Sequence, residues 1–272
     1  MMSLPQPQRL DLTADGDLSA LKWTGEREAV CLLLHGLGDS AWIWQPVIEA
    51  WPGPRPTFLA PDLPGHGSSA AVGLKEAKSA AVAARLAPHL SDLETPWVVG
   101  HSAGAKVALG LVATGLLDAS GISLVDAADA PGPAARGAVM AHVAMLRRGA
   151  PGLPDLVATA RASDPLADPA LLSAYFQAAG CPGGAGWHVP IGRGAEALMS
   201  GDIVLQQRLP DVRVPVQVIR GAFSSICTAA QVEALVRVAH EPRAPATIDK
   251  AGHAIMMNQP AALARAIADA LV

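Results

Sequence analysis

At 272 residues with 51% hydrophobic side chains, the chain is long enough for one large α/β domain and too apolar for a disordered one. Its net charge of −4 and lack of a basic tract disfavour nucleic acid as a partner, and no apolar run is long enough to cross a bilayer. Cys31, Cys181 and Cys227 are scattered and odd in number, which predicts reduced thiols in a cytoplasmic protein rather than a disulfide framework or a metal site; Met1 to Leu10 lacks the basic and apolar regions of a signal peptide.

The first elements predicted are two short strands, Arg9 to Leu12 and Leu18 to Trp23, split by the turn residues Ala14-Asp15-Gly16. Ala29 to Leu34 is a continuous apolar run, the pattern of a strand covered on both faces. Further runs of this kind are Thr57 to Ala60, Trp97 to Val99, Ile122 to Val125, Val214 to Ile219 and Ala246 to Ile248. Helical stretches fall between them at Trp42 to Ala50, Leu74 to Leu90, Ala103 to Leu117 and Ala229 to Ala239, and Ala261 to Val272 closes the chain. Alternation of buried strands with helices predicts a mostly parallel sheet flanked by helices.

One segment breaks the alternation. Pro131 to Leu209 is rich in Ala, Gly and Pro, with helical pieces and no clear strand. It is too long for a simple crossover. The expected organisation is a core of residues 1–130 and 210–272, with 131–209 inserted as a helical lid.

Ligand sites of such sheets lie at the carboxyl ends of the strands. The polar residues found there are His35, Asp62, Ser102, Asp126 and, after the last strand, His253. Ser102 stands out because an apolar strand runs into Gly100-His101-Ser102-Ala103-Gly104 and a helix-prone segment follows at once. Strand, sharp turn and helix is the setting of a nucleophile elbow, and glycines on either side let the backbone turn tightly. A serine hydroxyl is a weak nucleophile and needs a base to take its proton. His253, on a loop before the last helix, is the well-placed histidine late in the chain.

Four segments in this order resemble the α/β-hydrolase fold superfamily over nearly the whole chain: Leu33 to Gly38, Pro61 to Ser68, Gly100 to Gly104, and Gly252-His253 with Gln259-Pro260. The resemblance implies an eight-stranded, mostly parallel sheet with an inserted lid, and a serine esterase or lactonase without a cofactor. It further implies Ser102 as nucleophile, His253 as general base, and an oxyanion hole made by the backbone N–H groups of Leu37 and Ala103.

The triad acid departs from the common pattern. Most of the family carries it a few residues after a Gly that ends the penultimate strand, but Gly221 to Ile226 holds no carboxylate, and the next acid, Glu233, falls on a predicted helix. Other members take the acid from the end of the preceding strand, which here is Asp126, with Asp129 second. His35 and His66 are expected to hydrogen-bond around the oxyanion loop, Asp62 to tie down its own loop, and His101 to line or underlie the pocket. Trp42, Trp44, Trp187, Met256 and Met257 divide between core and an apolar pocket.

The expected reaction is cleavage of an ester, thioester or lactone of a mostly apolar small molecule through an acyl-enzyme. Carbon–carbon bond hydrolysis, acyl transfer and a non-catalytic ligand-binding role remain as alternatives. Oligomeric state is not encoded in any readable way.

Overall fold

The apolar runs fold where their pattern predicts. In a computed structural model that describes residues 6–183 and 186–271, they form β1 (Gln8–Asp11), β2 (Ser19–Trp23), β3 (Val30–Leu34), β4 (Thr57–Pro61), β5 (Trp97–His101) and β6 (Gly121–Val125). Then come β7 (Cys181–Gly183), β8 (Gly186–His188), β9 (Val216–Gly221) and β10 (Ala246–Ile248). Eight of them build one sheet in the order β1-β2-β4-β3-β5-β6-β9-β10. The pairings β1–β2 and β2–β4 are antiparallel and all others in that sheet are parallel.

Every residue of the central strands β5 and β6 is buried, as expected of strands covered on both faces. Removing each Val or Leu of these strands from water contributes roughly 1.5–3 kcal/mol. A buried polar chain crosses three strands: Trp97 Nε1 donates to Ser123 Oγ (2.9 Å), which donates to Gln217 Oε1 (2.8 Å). Each polar group in the chain has a partner, so its burial carries no unpaired cost.

The flanking helices are α1 (Gln45–Glu49), α2 (Ser79–Leu86) and α3 (Ala103–Ala113), followed by α4 (Pro133–Arg148), α5 (Leu153–Ser163), α6 (Pro169–Ala179) and α7 (Leu205–Arg208). The last three are α8 (Ala229–Val238), α9 (Ile255–Asn258) and α10 (Pro260–Ala270). Helix α2 packs on α3, α3 on β5, and α1 on α10. Helices α1, α2 and α3 are shorter than their sequence patterns predict, and for the last two the cause is visible. The one expected from Leu74 starts at Ser79, because residues 74–77 form turns that leave Leu74 67% exposed. Helix α3 stops at Ala113 because Gly115 adopts φ +68°.

Between β6 and β9 the chain leaves the main sheet. This stretch holds α4 to α7 together with the antiparallel pair β7–β8, which sequence reading missed. The signal was masked by Pro182, Gly183 and Gly186, residues that ordinarily mark breaks; Ala150 bridges Trp187 on the other side of β8 and widens the ribbon there. The inserted stretch is tied to the strand-end loops by Gly192 N–H donating to Gly65 O (2.6 Å) and by Asn258 Nδ2 donating to Asp164 Oδ2 (2.9 Å). Among the described residues no helix is long and apolar enough to cross a membrane.

Candidate active site

The elbow forms because two glycines allow it. A Cβ on Gly100 would fall 2.5 Å from Ala105 Cα, and one on Gly104 would fall 2.4 Å from His35 O. Only hydrogen fits at either position. Between them Ser102 takes φ 53°, ψ −117°, a conformation that costs a non-glycine residue on the order of 1–3 kcal/mol. Ser102 N–H donates to Val125 O at 2.9 Å, and this bond with the following helix holds the strained residue in place.

Register carries Asp126 to the same rim. Because His101 pairs with Val125, the next residues on the two strands, Ser102 and Asp126, leave the sheet side by side. Asp126 is fully buried with φ 46° and is held by its N–H donating to Ile219 O (2.7 Å). Its Oδ2 lies 2.7 Å from His253 Nδ1, and its Oδ1 accepts from Gly221 N–H at 2.9 Å. With Nδ1 donating to the carboxylate, the neutral tautomer of His253 leaves Nε2 as the basic nitrogen. Neither Nε2 nor Ser102 Oγ hydrogen-bonds another described residue; catalytic contacts often tighten only around substrate.

The His253 loop is fixed from two sides. It crosses β9 where Gly221 has no side chain, since a Cβ there would fall 2.1 Å from Gly252 O. Gly252 N–H donates to Asn258 Oδ1 (2.8 Å). His101 packs beneath, its ring centroid 4.7 Å from that of His253, and its Nε2–H donates to His253 O at 3.0 Å. His101 Nδ1 therefore carries a bare lone pair. It has no partner and faces Asp39 Oδ2 at 3.8 Å. Burial holds His101 well below the usual histidine range, with the nearby His253 adding to the effect. Burial also pushes Asp39 up to about 7, against an opposing pull from His253.

The loop bearing Leu37 is braced by two neutral histidines. His35 Nε2 accepts from Leu63 N–H (2.9 Å) while Nδ1–H donates to Gly36 O (2.8 Å). His66 Nε2 accepts from Gly38 N–H (3.1 Å) while Nδ1–H donates to Pro64 O (3.2 Å). Burial pushes them down to about 4 and about 3, so both accept at neutral pH. Asp62 joins this loop to its own, its Oδ1 accepting from Ala41 N–H (2.7 Å) and its Oδ2 from Ser68 N–H (2.9 Å). The N–H groups of Leu37 and of Ala103, the first residue of α3, donate to no group among the described residues. Orphan N–H groups of this kind at a helix start suit an anion.

Asp129, the second candidate acid, points elsewhere. Its carboxylate accepts from Leu205 N–H and from Gln206 N–H (3.3 Å), capping α7, and its backbone carbonyl takes Lys106 Nζ (3.0 Å). Of the apolar candidates, Trp44, Met256 and Met257 are core, whereas Trp42 and Trp187 are partly buried at its edge. Sequence reasoning overlooked Ser224. It occupies the loop after β9 that lacks a carboxylate, and its Oγ lies 2.5 Å from Asp126 Oδ2. Nothing in a lone loop serine advertises such a contact. Among the described residues no group of three or more His, Cys, Asp or Glu could hold a metal ion.

Comparison with known proteins follows the same lines. The model described as "Alpha/beta hydrolase family" matches residues 31–266. Esterase Rv0045c of Mycobacterium tuberculosis is 38% identical over 112 residues, which are 40% of this chain and 35% of that protein. The match thus spans about a third of that curated relative. A refined structure of that esterase superimposes with a TM-score of 0.77 at 26% identity, covering 98% of this chain and 92% of that one. Two structures share the fold at lower identity. E-2-(acetamidomethylene)succinate hydrolase gives a TM-score of 0.82 at 20% identity over 97% and 98% of the two chains. The thioesterase domain from the curacin biosynthetic pathway gives 0.79 at 18% over 97% and 100%.

Proposed function

The chain belongs to the alpha/beta hydrolase family, and from that premise we propose that it is a serine esterase acting without a cofactor on a mostly apolar small molecule. The observation that carries this reading is the 2.7 Å bond between Asp126 and His253 at the strand end beside Ser102. Similarity to an esterase at 38% identity over part of the chain supports the same class.

In this mechanism Ser102 Oγ attacks the carbonyl carbon of an ester, thioester or lactone as His253 Nε2 takes its proton. The carbonyl π-electrons move to oxygen, and the Leu37 and Ala103 N–H groups hold the resulting oxyanion. Asp126 stabilises the imidazolium without taking its proton. Collapse of the intermediate expels the alkoxide or thiolate, which leaves with the proton from His253. Water then attacks the acyl-enzyme by the same steps and frees the acid and Ser102. Removing one oxyanion donor from such a site typically costs about 10²–10³ in rate.

Residues 131–209 are assigned in this reading to a lid over a core of 1–130 and 210–272, and α4 supports it by approaching the oxyanion loop. A Cβ on Gly38 would meet Val143 Cγ2 at 3.0 Å, and Leu146 and Ile191 lie just beyond. A cytoplasmic setting fits the three free cysteines, of which Cys31 and Cys227 are buried and pushed by burial up to about 12.

A fluorophosphonate probe tests the assignment. The expected result is rapid labelling of the folded protein that disappears in Ser102→Ala, together with loss of hydrolysis of short p-nitrophenyl esters. Unlabelled, folded wild type that cleaves none of these esters would overturn it.

A further inference from the structure

Ser224 has the hydrogen-bonding pattern of a device rather than of a loop filler. A hydroxyl offers one proton and two lone pairs. Both lone pairs of Ser224 Oγ are engaged, by Ile226 N–H at 3.1 Å and Cys227 N–H at 3.2 Å. The single proton is left pointing at Asp126 Oδ2, 2.5 Å away. The two backbone donors thus fix the direction in which the hydroxyl donates.

The recipient is a carboxylate that is fully buried. A buried carboxylate keeps its charge only when several donors replace water. Asp126 has three: Gly221 N–H on Oδ1, and on Oδ2 both His253 Nδ1–H and Ser224 O–H. Of these only His253 takes part in proton transfer in the mechanism above. Ser224 is the side-chain donor that stays when the imidazole moves. It also links Asp126 to β9 through a loop whose Phe223 N–H donates to Ala251 O (2.9 Å), two residues from His253.

We propose that Ser224 is a positioning residue: its hydroxyl holds the Asp126 carboxylate in place and aimed at His253 Nδ1, doing from the penultimate strand's loop what a bare carboxylate at the end of β6 would not do alone. The proposal rests on the serine-hydrolase reading for its kinetic consequence but not for its structural one. Losing the hydroxyl removes one of the two side-chain donors on Oδ2 and lets the carboxylate rotate away from Nδ1, so the imidazolium formed during the reaction is held less well.

The test compares Ser224→Ala with Ser224→Thr, which retains the hydroxyl. Ser224→Ala is expected to lower kcat by about 10- to 100-fold, the worth of one charge-assisted hydrogen bond, with KM within about twofold. The acid limb of its kcat/KM profile should move to lower pH, and Ser224→Thr should restore both. An unchanged kcat, or a loss of kcat with the limb unmoved or moved to higher pH, would overturn the proposal. A second readout needs no substrate. The downfield proton resonance of His253 Nδ1–H, identified by its absence in Asp126→Asn, should shift or vanish in Ser224→Ala; an unaltered resonance also overturns the proposal. If wild type cleaves no ester, the functional reading fails while this resonance still decides the role of Ser224.

Discussion

Asp126 and His253 are 127 positions apart in the chain, yet Oδ2 of one lies 2.7 Å from Nδ1 of the other. The β5–β6 register brings the residue after Val125 to the edge where the elbow turns, and the loop after β10 reaches it by crossing β9 at Gly221, where a Cβ would strike Gly252 O.

That geometry separates two aspartates that look alike in the sequence. Asp126→Asn should fold normally and lose at least two orders of magnitude in kcat, approaching the roughly 10⁴ seen when a triad acid is replaced. Asp129→Asn should keep kcat within a few-fold. Asp129→Ala should cost about 1 kcal/mol of stability through lost capping of α7, since its carboxylate serves Leu205 and Gln206. Steady-state kinetics and urea denaturation on the three variants check this. A large kcat loss at Asp129 with none at Asp126 would move the acid.

Much of this was legible from residue order, and the reasons differ by element. Strands β3, β5 and β6 are covered on both faces, so each appears as an apolar run, interrupted in β6 by Ser123. The elbow was legible because its glycines are steric necessities, each a position where a Cβ would strike backbone. Asp126 was reachable because a strand end is a defined place. Ser224 was not, since its role depends on the loop between β9 and α8 folding back so that Ile226 and Cys227 turn their N–H groups on one oxygen. The β7–β8 pair was hidden for a related reason: Gly and Pro mark breaks locally, while pairing is decided by what lies opposite. His101 and Asp39 face each other beside the loop that bears Leu37, a relation no spacing rule encodes.

Steric necessity at the elbow gives a paired prediction about stability. In Gly104→Ala the new Cβ would stand 2.4 Å from His35 O and 2.5 Å from Leu34 O, both backbone atoms at the end of β3. These cannot yield without parting the elbow from the sheet, so the variant should lose at least about 1–3 kcal/mol and most of its activity. Gly137 lies on the exposed face of α4 with nothing within 4 Å of its ideal Cβ. Gly137→Ala should therefore gain roughly 0.5–1 kcal/mol from reduced chain entropy. Thermal melts of both variants distinguish the cases, and a Gly104→Ala protein as stable as wild type would contradict the packing described.

Asp39 predicts a pH dependence of stability between about pH 4 and about pH 7. Burial pushes its carboxyl up to about 7, and it faces the lone pair of His101 Nδ1 at 3.8 Å, with His253 the nearest positive charge when protonated. A group whose folded value lies above its unfolded value of about 3.8 favours the folded state while it stays protonated. Its contribution is complete below about pH 4 and is lost as pH rises through about 7. Asparagine mimics the protonated form and does not titrate. Asp39→Asn should therefore lie within about 1 kcal/mol of wild type in stability near pH 4.5 and exceed it by on the order of 2–4 kcal/mol at pH 8. His35 and His66, pushed down by burial to about 4 and about 3, act in the opposite range: their contribution is present above about 6.5 and lost as pH falls through those values. Urea midpoints of wild type and Asp39→Asn from pH 4.5 to 8.5 check the sign, because only the carboxyl group separates the two curves. Parallel curves across that range would mean that Asp39 is ionised throughout in the folded protein.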